Sequence, residues 1–223
     1  MKQRTFNRLT SLWIYSIGFM SAYINMLTIA YYTYAVSHCT GNFVDIIYDA
    51  WEHKFERTLT LAVICSLFLA GGILASFVNR RREFDISHRY GEAQIICGLV
   101  ILLCNTFLSC FDIIFLASMS LIMGIQNALI YSYRGVSFKP SHLTTTFSNL
   151  GQYIGEYMMN MAETKRDIAF ELSLVASFAL GTACSLLLFS FIGSSCFTLA
   201  STAYIALGFA FIAIRRSSSS RLE

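Results

Sequence analysis

The feature that most limits how this chain folds is a series of long apolar runs. A helix needs about 20 apolar residues to cross the ~30 Å hydrocarbon core of a membrane. The composition agrees, because 56% of the 223 residues are hydrophobic, only 13% are charged, and the mean hydropathy is +0.58. We therefore predict an all-α polytopic membrane protein. Six spans are predicted, at Ser11–Tyr34, Thr58–Val78, Glu92–Cys110, Asp112–Tyr131, Ile168–Ile192 and Ser194–Ile214.

Two helical segments remain between these spans, at 37–51 and 141–161. The first is too short to cross a membrane comfortably at 1.5 Å per residue. The second follows the only proline, Pro140, and is too rich in threonine, serine and amide side chains to face lipid. We predict that both are broken or re-entrant polar helices.

The distribution of positive charge predicts the orientation in the membrane. With six spans, 14 of the 16 Lys and Arg residues fall on one side, and only Lys54 and Arg57 fall on the other. Lys and Arg accumulate on the cytoplasmic side of membrane proteins. Both termini are therefore predicted to be cytoplasmic, and the first run to be a retained span, not a cleaved signal peptide.

An internal repeat organises the chain. Gly18-Phe-Met-Ser-Ala22 matches Gly124-Ile-Gln-Asn-Ala128, and Ser37-His-Cys-Thr40 matches Ser141-His-Leu-Thr144. Three spans in each copy force the second copy to enter the membrane from the opposite face. The prediction is two inverted three-helix repeats, each with one broken or re-entrant polar helix: 1–110 with segment 37–51, and 111–214 with segment 141–161. Residues 215–223 are predicted to be a disordered cytoplasmic tail.

The two motif blocks resemble the YoaK family of bacterial membrane proteins, also described as domain of unknown function 1275. The resemblance covers essentially the whole length and the motif order. It implies a protein of the bacterial inner membrane but no established substrate. The second motif in that family usually reads His-x-Thr-Gly-Thr, whereas Thr145 stands here at the glycine position that Gly41 keeps in the first copy.

The two Ser-His-x-Thr segments are the candidate site. Ser, Thr and Asn cap helix amino termini, whose positive dipole ends suit an anion or a carboxylate. The two histidines suit proton coupling, although they are equally explained as interfacial residues that bond a helix carbonyl. Carboxylates and amides at membrane depth either line a polar path or hold helices together. The predicted substrate-binding residues are His38, Thr40, Gly41, Asn42, Asp45, Gln126, Asn127, His142, Thr144, Thr145, Thr146 and Asn149.

The leading functional interpretation is a secondary transporter or permease for a small solute bound between the repeats. A more specific form of this interpretation makes the solute an anion. The alternative is a non-transporting scaffold or accessory subunit whose polar segments are structural. No hydrolase, metalloprotease or phosphate-loop motif is present, so we expect no enzyme, no cofactor and no metal. The expected partners are the lipid bilayer and the solute, with a homo-oligomer left open. The basic residues form short clusters and not one face, which argues against nucleic acid.

Overall fold

The chain folds into eight helices within the residues that the computed structural model describes, which are 3–78, 89–108, 111–129, 132–133, 136–137, 139–160 and 164–219. The helices are α1 Gln3–Tyr32, α2 Cys39–Trp51, α3 Phe55–Val78, α4 Arg89–Phe107, α5 Asp112–Leu129, α6 Leu143–Met158, α7 Lys165–Ile192 and α8 Ser195–Ser219. In this part of the chain the all-α prediction misses one feature, a short antiparallel pair between α5 and α6. It is formed by β1 Ser132–Tyr133 and β2 Val136–Ser137.

Six of the described helices are long and apolar enough to cross a membrane: α1, α3, α4, α5, α7 and α8. They coincide with the six predicted spans, and several begin about one turn earlier because residues such as Arg89 and Lys165 continue the helix. The predicted tail began too early, since α8 runs to Ser219 and residues 220–223 lie outside the described residues. The basic cluster 80–82 and the predicted ends at 110, 131 and 161 also lie outside them.

The two short helices lie within the predicted segments 37–51 and 141–161, but α6 is several residues shorter than its segment. α2 has 13 residues and α6 has 16. At 1.5 Å per residue these reach about 20 and 24 Å, less than the hydrocarbon thickness. Each packs against the span that follows it, α2 on α3 and α6 on α7. The outer face of α2 exposes Phe43, Ile47 and Trp51, an apolar surface suited to lipid.

The contacts between spans follow a regular pattern. The main pairs are α3 with α5, α1 with α7, and α4 with α8, and weaker pairs join α1 with α8 and α4 with α5. Each helix of the first half corresponds to the helix four places later, so that α1 corresponds to α5 and α4 to α8. Under this correspondence the contact of α3 with α5 becomes that of α7 with α1, and the contact of α1 with α8 becomes that of α5 with α4. The contact of α4 with α8 is unchanged. Every contact between the two halves therefore has a counterpart.

Glycines set the distances in two of these pairs. A Cβ added at Gly124 would lie 2.1 Å from the backbone oxygen of Phe68, and one at Gly71 would lie 2.2 Å from that of Leu121. A Cβ at Gly181 would lie 2.2 Å from the backbone oxygen of Phe19. Small residues allow helix backbones in membranes to approach closely. Gly71, Gly124 and Gly181 therefore mark the points at which these helix backbones come closest.

The pair α4 and α8 is antiparallel and reciprocal. A Cβ at Gly91 would lie 2.7 Å from the backbone oxygen of Gly208, and a Cβ at Gly208 would lie 2.6 Å from that of Gly91. At the other end of the contact, the Ser201 hydroxyl donates to the backbone oxygen of Gly98 at 2.8 Å. Gly98 and Gly208 are separated by 110 residues, as are Gly91 and Ser201. The contact between Gly91 and Gly208 is therefore repeated, with the two helices exchanged, in the contact between Ser201 and Gly98.

Candidate functional site

The two Ser-His-x-Thr segments meet around one cavity. Its volume is about 280 Å³, and both segments contribute side chains. We call it the central cavity. The remaining wall comes from α1 and α7. The lining residues are Ala22, Asn25, Met26, Ile29, Ser37, His38, Cys39, Thr40, Ser141, His142, Leu143, Thr144, Phe178 and Thr182.

Each histidine stands immediately before a short helix. His38 precedes α2 and His142 precedes α6, and neither side chain caps its helix. Their carbonyls accept the first backbone bonds, from the N–H of Asn42 at 2.9 Å and from that of Thr146 at 3.4 Å. Both helices therefore begin at the cavity, with their positive dipole ends toward it.

Each segment is held by an asparagine of the preceding span. Asn25 Oδ1 accepts from the N–H and the hydroxyl of Ser37, at 3.1 and 3.0 Å. Asn127 Oδ1 accepts from the N–H of Ser141 at 3.0 Å, and Asn127 Nδ2 donates to the Ser141 hydroxyl. These bonds satisfy loop backbone that would otherwise lack partners in a membrane. They fix the two serines in equivalent places.

The glycine of the first motif makes room for its histidine. A Cβ at Gly41 would lie 2.7 Å from Cδ2 and 3.3 Å from Nε2 of His38. The His38 ring therefore occupies space that a side chain at position 41 would fill. Thr145, at the equivalent position of the second motif, carries such a side chain. The two motifs of this chain therefore differ at this position, which makes the two sides of the cavity unequal.

His142 has different surroundings. Its ring packs against Phe68 with centroids 6.3 Å apart. Burial lowers the pKa of His142, and the positive charges of Lys139 and His38 lower it further. Both effects favour the neutral imidazole form of His142. Burial also lowers the pKa of Lys139, whose Nζ donates to the backbone oxygen of Asn127 at 3.3 Å.

Replacing Gly41 with alanine is expected to displace the His38 ring without unfolding the protein. A side chain forced off its preferred rotamer costs about 0.5–1.5 kcal/mol, and His38 is exposed and free to rotate. Imidazole nitrogen NMR on ¹⁵N-histidine protein measures the effect. We expect the His38 resonance to move and those of the other three histidines to stay. The matched variant Thr145→Gly should move the His142 resonance instead. An unchanged His38 signal in Gly41→Ala would contradict this packing.

Several predicted residues lie outside the cavity lining. Asn42 is buried and its Nδ2 donates to the backbone oxygen of Ala35 at 2.7 Å, and Thr146, its counterpart, is also buried. Gln126 Nε2 donates to the backbone oxygen of Ile17 at 3.0 Å, and the Tyr204 hydroxyl donates to Gln126 Oε1. In the described structure these side chains hold segments together and do not line the cavity.

Asp45 and Asp49 form one ion-pair cluster with the start of α3. Arg57 Nη2 lies 3.2 Å from Asp45 Oδ2, and Arg57 Nε lies 3.3 Å from Asp49 Oδ2. The side chain of Asp49 is completely buried, whereas that of Asp45 is about half exposed (48%). Asp45 is therefore a partner of Arg57 away from the cavity lining. The burial of Asp49 was not predicted from the sequence.

Asn149 lies farther along α6 and contacts the following span. Its Nδ2 donates to Oε1 of Glu171 at 2.9 Å, and Glu171 is buried. Sequence reasoning missed Glu171, although a carboxylate within an apolar run is a signal in itself. It also missed Thr182 and Phe178 as lining residues. Phe178 was visible only as part of the repeat with Phe68. Among the described residues, no group of three His, Cys, Asp or Glu side chains is arranged to hold a metal ion.

The fold and this site define a multi-pass helical membrane protein with a cavity between its two halves that is lined by both polar and apolar side chains. The chain belongs to the family described as "Protein of unknown function (DUF1275)", which it matches over residues 14–211. This confirms the resemblance found in the motifs. No curated protein and no solved structure matches the chain.

Proposed function

We propose that this protein is a secondary transporter or permease that binds a small solute in the central cavity. The observation that carries the proposal is the meeting of both Ser-His-x-Thr segments around this one cavity. Transporters commonly place their substrate between two repeats, at the ends of interrupted helices. Here two short helices, one from each half, begin at the same polar space.

The short helices are proposed to be re-entrant. α2 is followed closely by α3, and α6 precedes α7, so each forms a hairpin with a span. The contacts between spans support an inverted arrangement, because an antiparallel reciprocal pair such as α4 and α8 has a local twofold axis perpendicular to its helices. In a membrane that axis lies in the bilayer plane. The two hairpins would then extend from the cavity toward opposite faces.

The lining chemistry favours a small solute with negative charge or a carboxylate. The cavity presents hydroxyl, amide and imidazole groups, and none of its lining residues is acidic. Two helix amino termini and the nearby Lys139 add positive potential. The proposed ligand class is therefore an inorganic anion or a small carboxylate.

The proposed setting is the bacterial inner membrane with both termini in the cytoplasm, as the charge distribution indicates. The partners are the bilayer and the solute, and neither an enzymatic reaction nor nucleic acid is part of the proposal. A homo-oligomer would be compatible with it.

The second candidate is a scaffold without transport. It is favoured by the polar side chains whose hydrogen bonds are used within the fold, namely Asn25, Asn42 and Asn127. A scaffold would have a dry, permanently closed centre. The two candidates therefore differ in whether water and solute reach the cavity.

Alkylation of Cys39 distinguishes them, because this native thiol lines the cavity. Burial and the neighbouring Cys65 raise the pKa of Cys39 to about 11, so labelling belongs in alkaline buffer, where the reactive thiolate increases. In a chain with Cys39 as its only cysteine, we expect a membrane-impermeant maleimide to label it. Solutes found by a thermal-shift screen of anions, carboxylates and nucleobases should protect it.

The matched control keeps only Cys97, which is buried between helices (2% exposed) and should stay unlabelled. If Cys39 stays as unreactive as Cys97 across the alkaline range, the transport proposal fails and the scaffold is favoured.

A further inference from the structure

The hairpin of α6 and α7 buries a carboxylate without a counter-ion. Glu171 is 1% exposed. Its carboxylate accepts one hydrogen bond, from the neutral amide of Asn149 at 2.9 Å. Across the part of the chain that the structure describes, no Lys, Arg or His forms an ion pair with it. The charged residues Lys165 and Arg166 at the start of the same helix are exposed.

The equivalent hairpin in the first half, α2 with α3, also buries a carboxylate but pairs it with a cation. There Asp45 and Asp49 of α2 share Arg57 of α3, so the buried carboxylate of Asp49 has a cation beside it. Asn149 follows Asp45 by 104 residues, the separation of the two histidines, so it is the counterpart of Asp45 in α6. The second half thus has an amide on the short helix and an acid on the span. The cation is missing from this arrangement.

The groups around Glu171 do not supply compensation. Asp167, one turn earlier on α7, brings a second negative charge close to it. On α6, Tyr153 lies near enough to Asp167, Glu171 and Glu156 to be affected by their negative charges. On α1, the ring of Tyr15 packs on Phe170 with centroids 5.5 Å apart. The contacts of Tyr15 with Ser177 and of Phe19 with Gly181 place Arg8 level with Glu171, but Arg8 is exposed and, among the described residues, the two form no ion pair. A buried ionised carboxylate without a counter-ion is strongly unfavourable, and such groups become neutral by binding a proton.

We propose that Glu171 is a proton-binding site, distinct from the central cavity, that couples proton uptake to the state of the solute site. The inference rests on the proposed function and names its coupling ion. The carboxylate takes one proton from water to become the neutral acid, and it returns that proton when it ionises again. No other bond changes.

Asn149 transmits the change to the cavity. It lies on α6, the helix whose first residues and preceding His142 form part of the lining. An amide bonds more strongly to a charged oxygen than to a neutral one. Protonation therefore weakens the link between α6 and α7 and frees α6 to move at its cavity end. Asn149, predicted to bind the solute, acts in this inference as a positioning residue.

Infrared difference spectroscopy across a pH titration tests the site without any solute. In purified full-length protein we expect a C=O stretching band of a buried protonated carboxyl group. Glu171→Gln should abolish this band. Asp167→Asn should keep the band but lose it at a lower pH than the parent, because a neighbouring negative charge has been removed. Asn149→Ala keeps the Glu171 carboxyl but removes its hydrogen-bond partner, so the band should shift. This variant tests the assignment even if Glu171→Gln does not fold. Wild-type spectra without such a band, or an identical band in Glu171→Gln, would overturn the proposal.

The transmission step has its own measurement. Glu171→Gln imitates the protonated state, so at a pH where the infrared titration shows Glu171 of the parent to be ionised it should change the Cys39 alkylation rate several-fold. Asp167→Asn keeps Glu171 ionised at that pH and should leave the rate unchanged. An unchanged rate would overturn the coupling. If the infrared band is missing while solutes protect Cys39, the proton site is ruled out and the transporter proposal stands. If the band is present but no solute protects Cys39, the transporter proposal is ruled out and Glu171 is only a protonated acid.

Discussion

Gly124→Ala is expected to destabilise the protein strongly. The new Cβ would lie 2.1 Å from the backbone oxygen of Phe68, within α3. A backbone atom cannot rotate away as a side chain can, so α3 and α5 must separate. Overpacking of this kind costs about 3 kcal/mol or more. Thermal unfolding in detergent should show a fall in Tm on the order of 10 °C.

Gly151→Ala is the matched control. It adds the same methyl group in the interior of α6, where the space around position 151 is open to at least 4 Å. Alanine forms helices better than glycine by about 0.5–1 kcal/mol, so this variant should be as stable as the parent or more so. Equal stability of the Gly124 and Gly151 variants would show that α3 and α5 do not meet as described.

The second large effect is expected from the pair Thr40→Val and Thr144→Val. Both threonines line the central cavity, one from each half, and both are exposed to it. Each substitution keeps the shape and removes a hydroxyl. A hydrogen bond to a charged ligand contributes about 1.5–3 kcal/mol. The double variant should therefore weaken binding of the solute found by thermal shift by about a hundredfold or more, measured by calorimetry.

Thr106→Val provides the comparison for this pair. Its hydroxyl bonds only within its own helix, to the backbone oxygen of Leu102 at 2.8 Å, on an exposed face of α4. It should bind the solute like the parent protein. Unchanged affinity in the double variant, with the fold intact, would rule out the cavity as the binding site. The roles of Asn42 and Thr146 are different, since both are buried and their loss acts through the fold.

Much of this architecture could be predicted from the sequence, because membrane insertion depends on length and apolar content. These two quantities located the six spans and left the two short helices as exceptions. The pairing of the Ser-His-x-Thr segments also followed from the repeat, and the structure brings them to one cavity. The β1–β2 pair was missed because two-residue strands have no periodicity to detect. The helical start of the tail was missed because the serines there gave no apolar signal.

The side-chain partners were much less predictable. Gln126, Asn127 and Asn149 all sit on helices where an amide must face protein, but their sequence does not say which backbone or side chain they meet. That depends on how the helices cross. Glu171 lies within a predicted span and Asp49 within the predicted segment 37–51. No local pattern there shows that the first carboxylate meets only an amide and the second meets Arg57.

The reciprocal contact of α4 and α8 bears on how such a chain arises. An interface in which each surface meets a copy of itself is the kind formed by two identical subunits. In the proposed inverted arrangement, a single ancestral unit of four helices could pair through this self-complementary surface with a second unit inserted in the opposite orientation. Once the two units are fused into one chain, each half can change in sequence independently of the other. The second half shows two such changes. Thr145 stands where the first half has Gly41, and Glu171 lacks an arginine like the one beside Asp49. Only one of two fused halves can accept each of these changes.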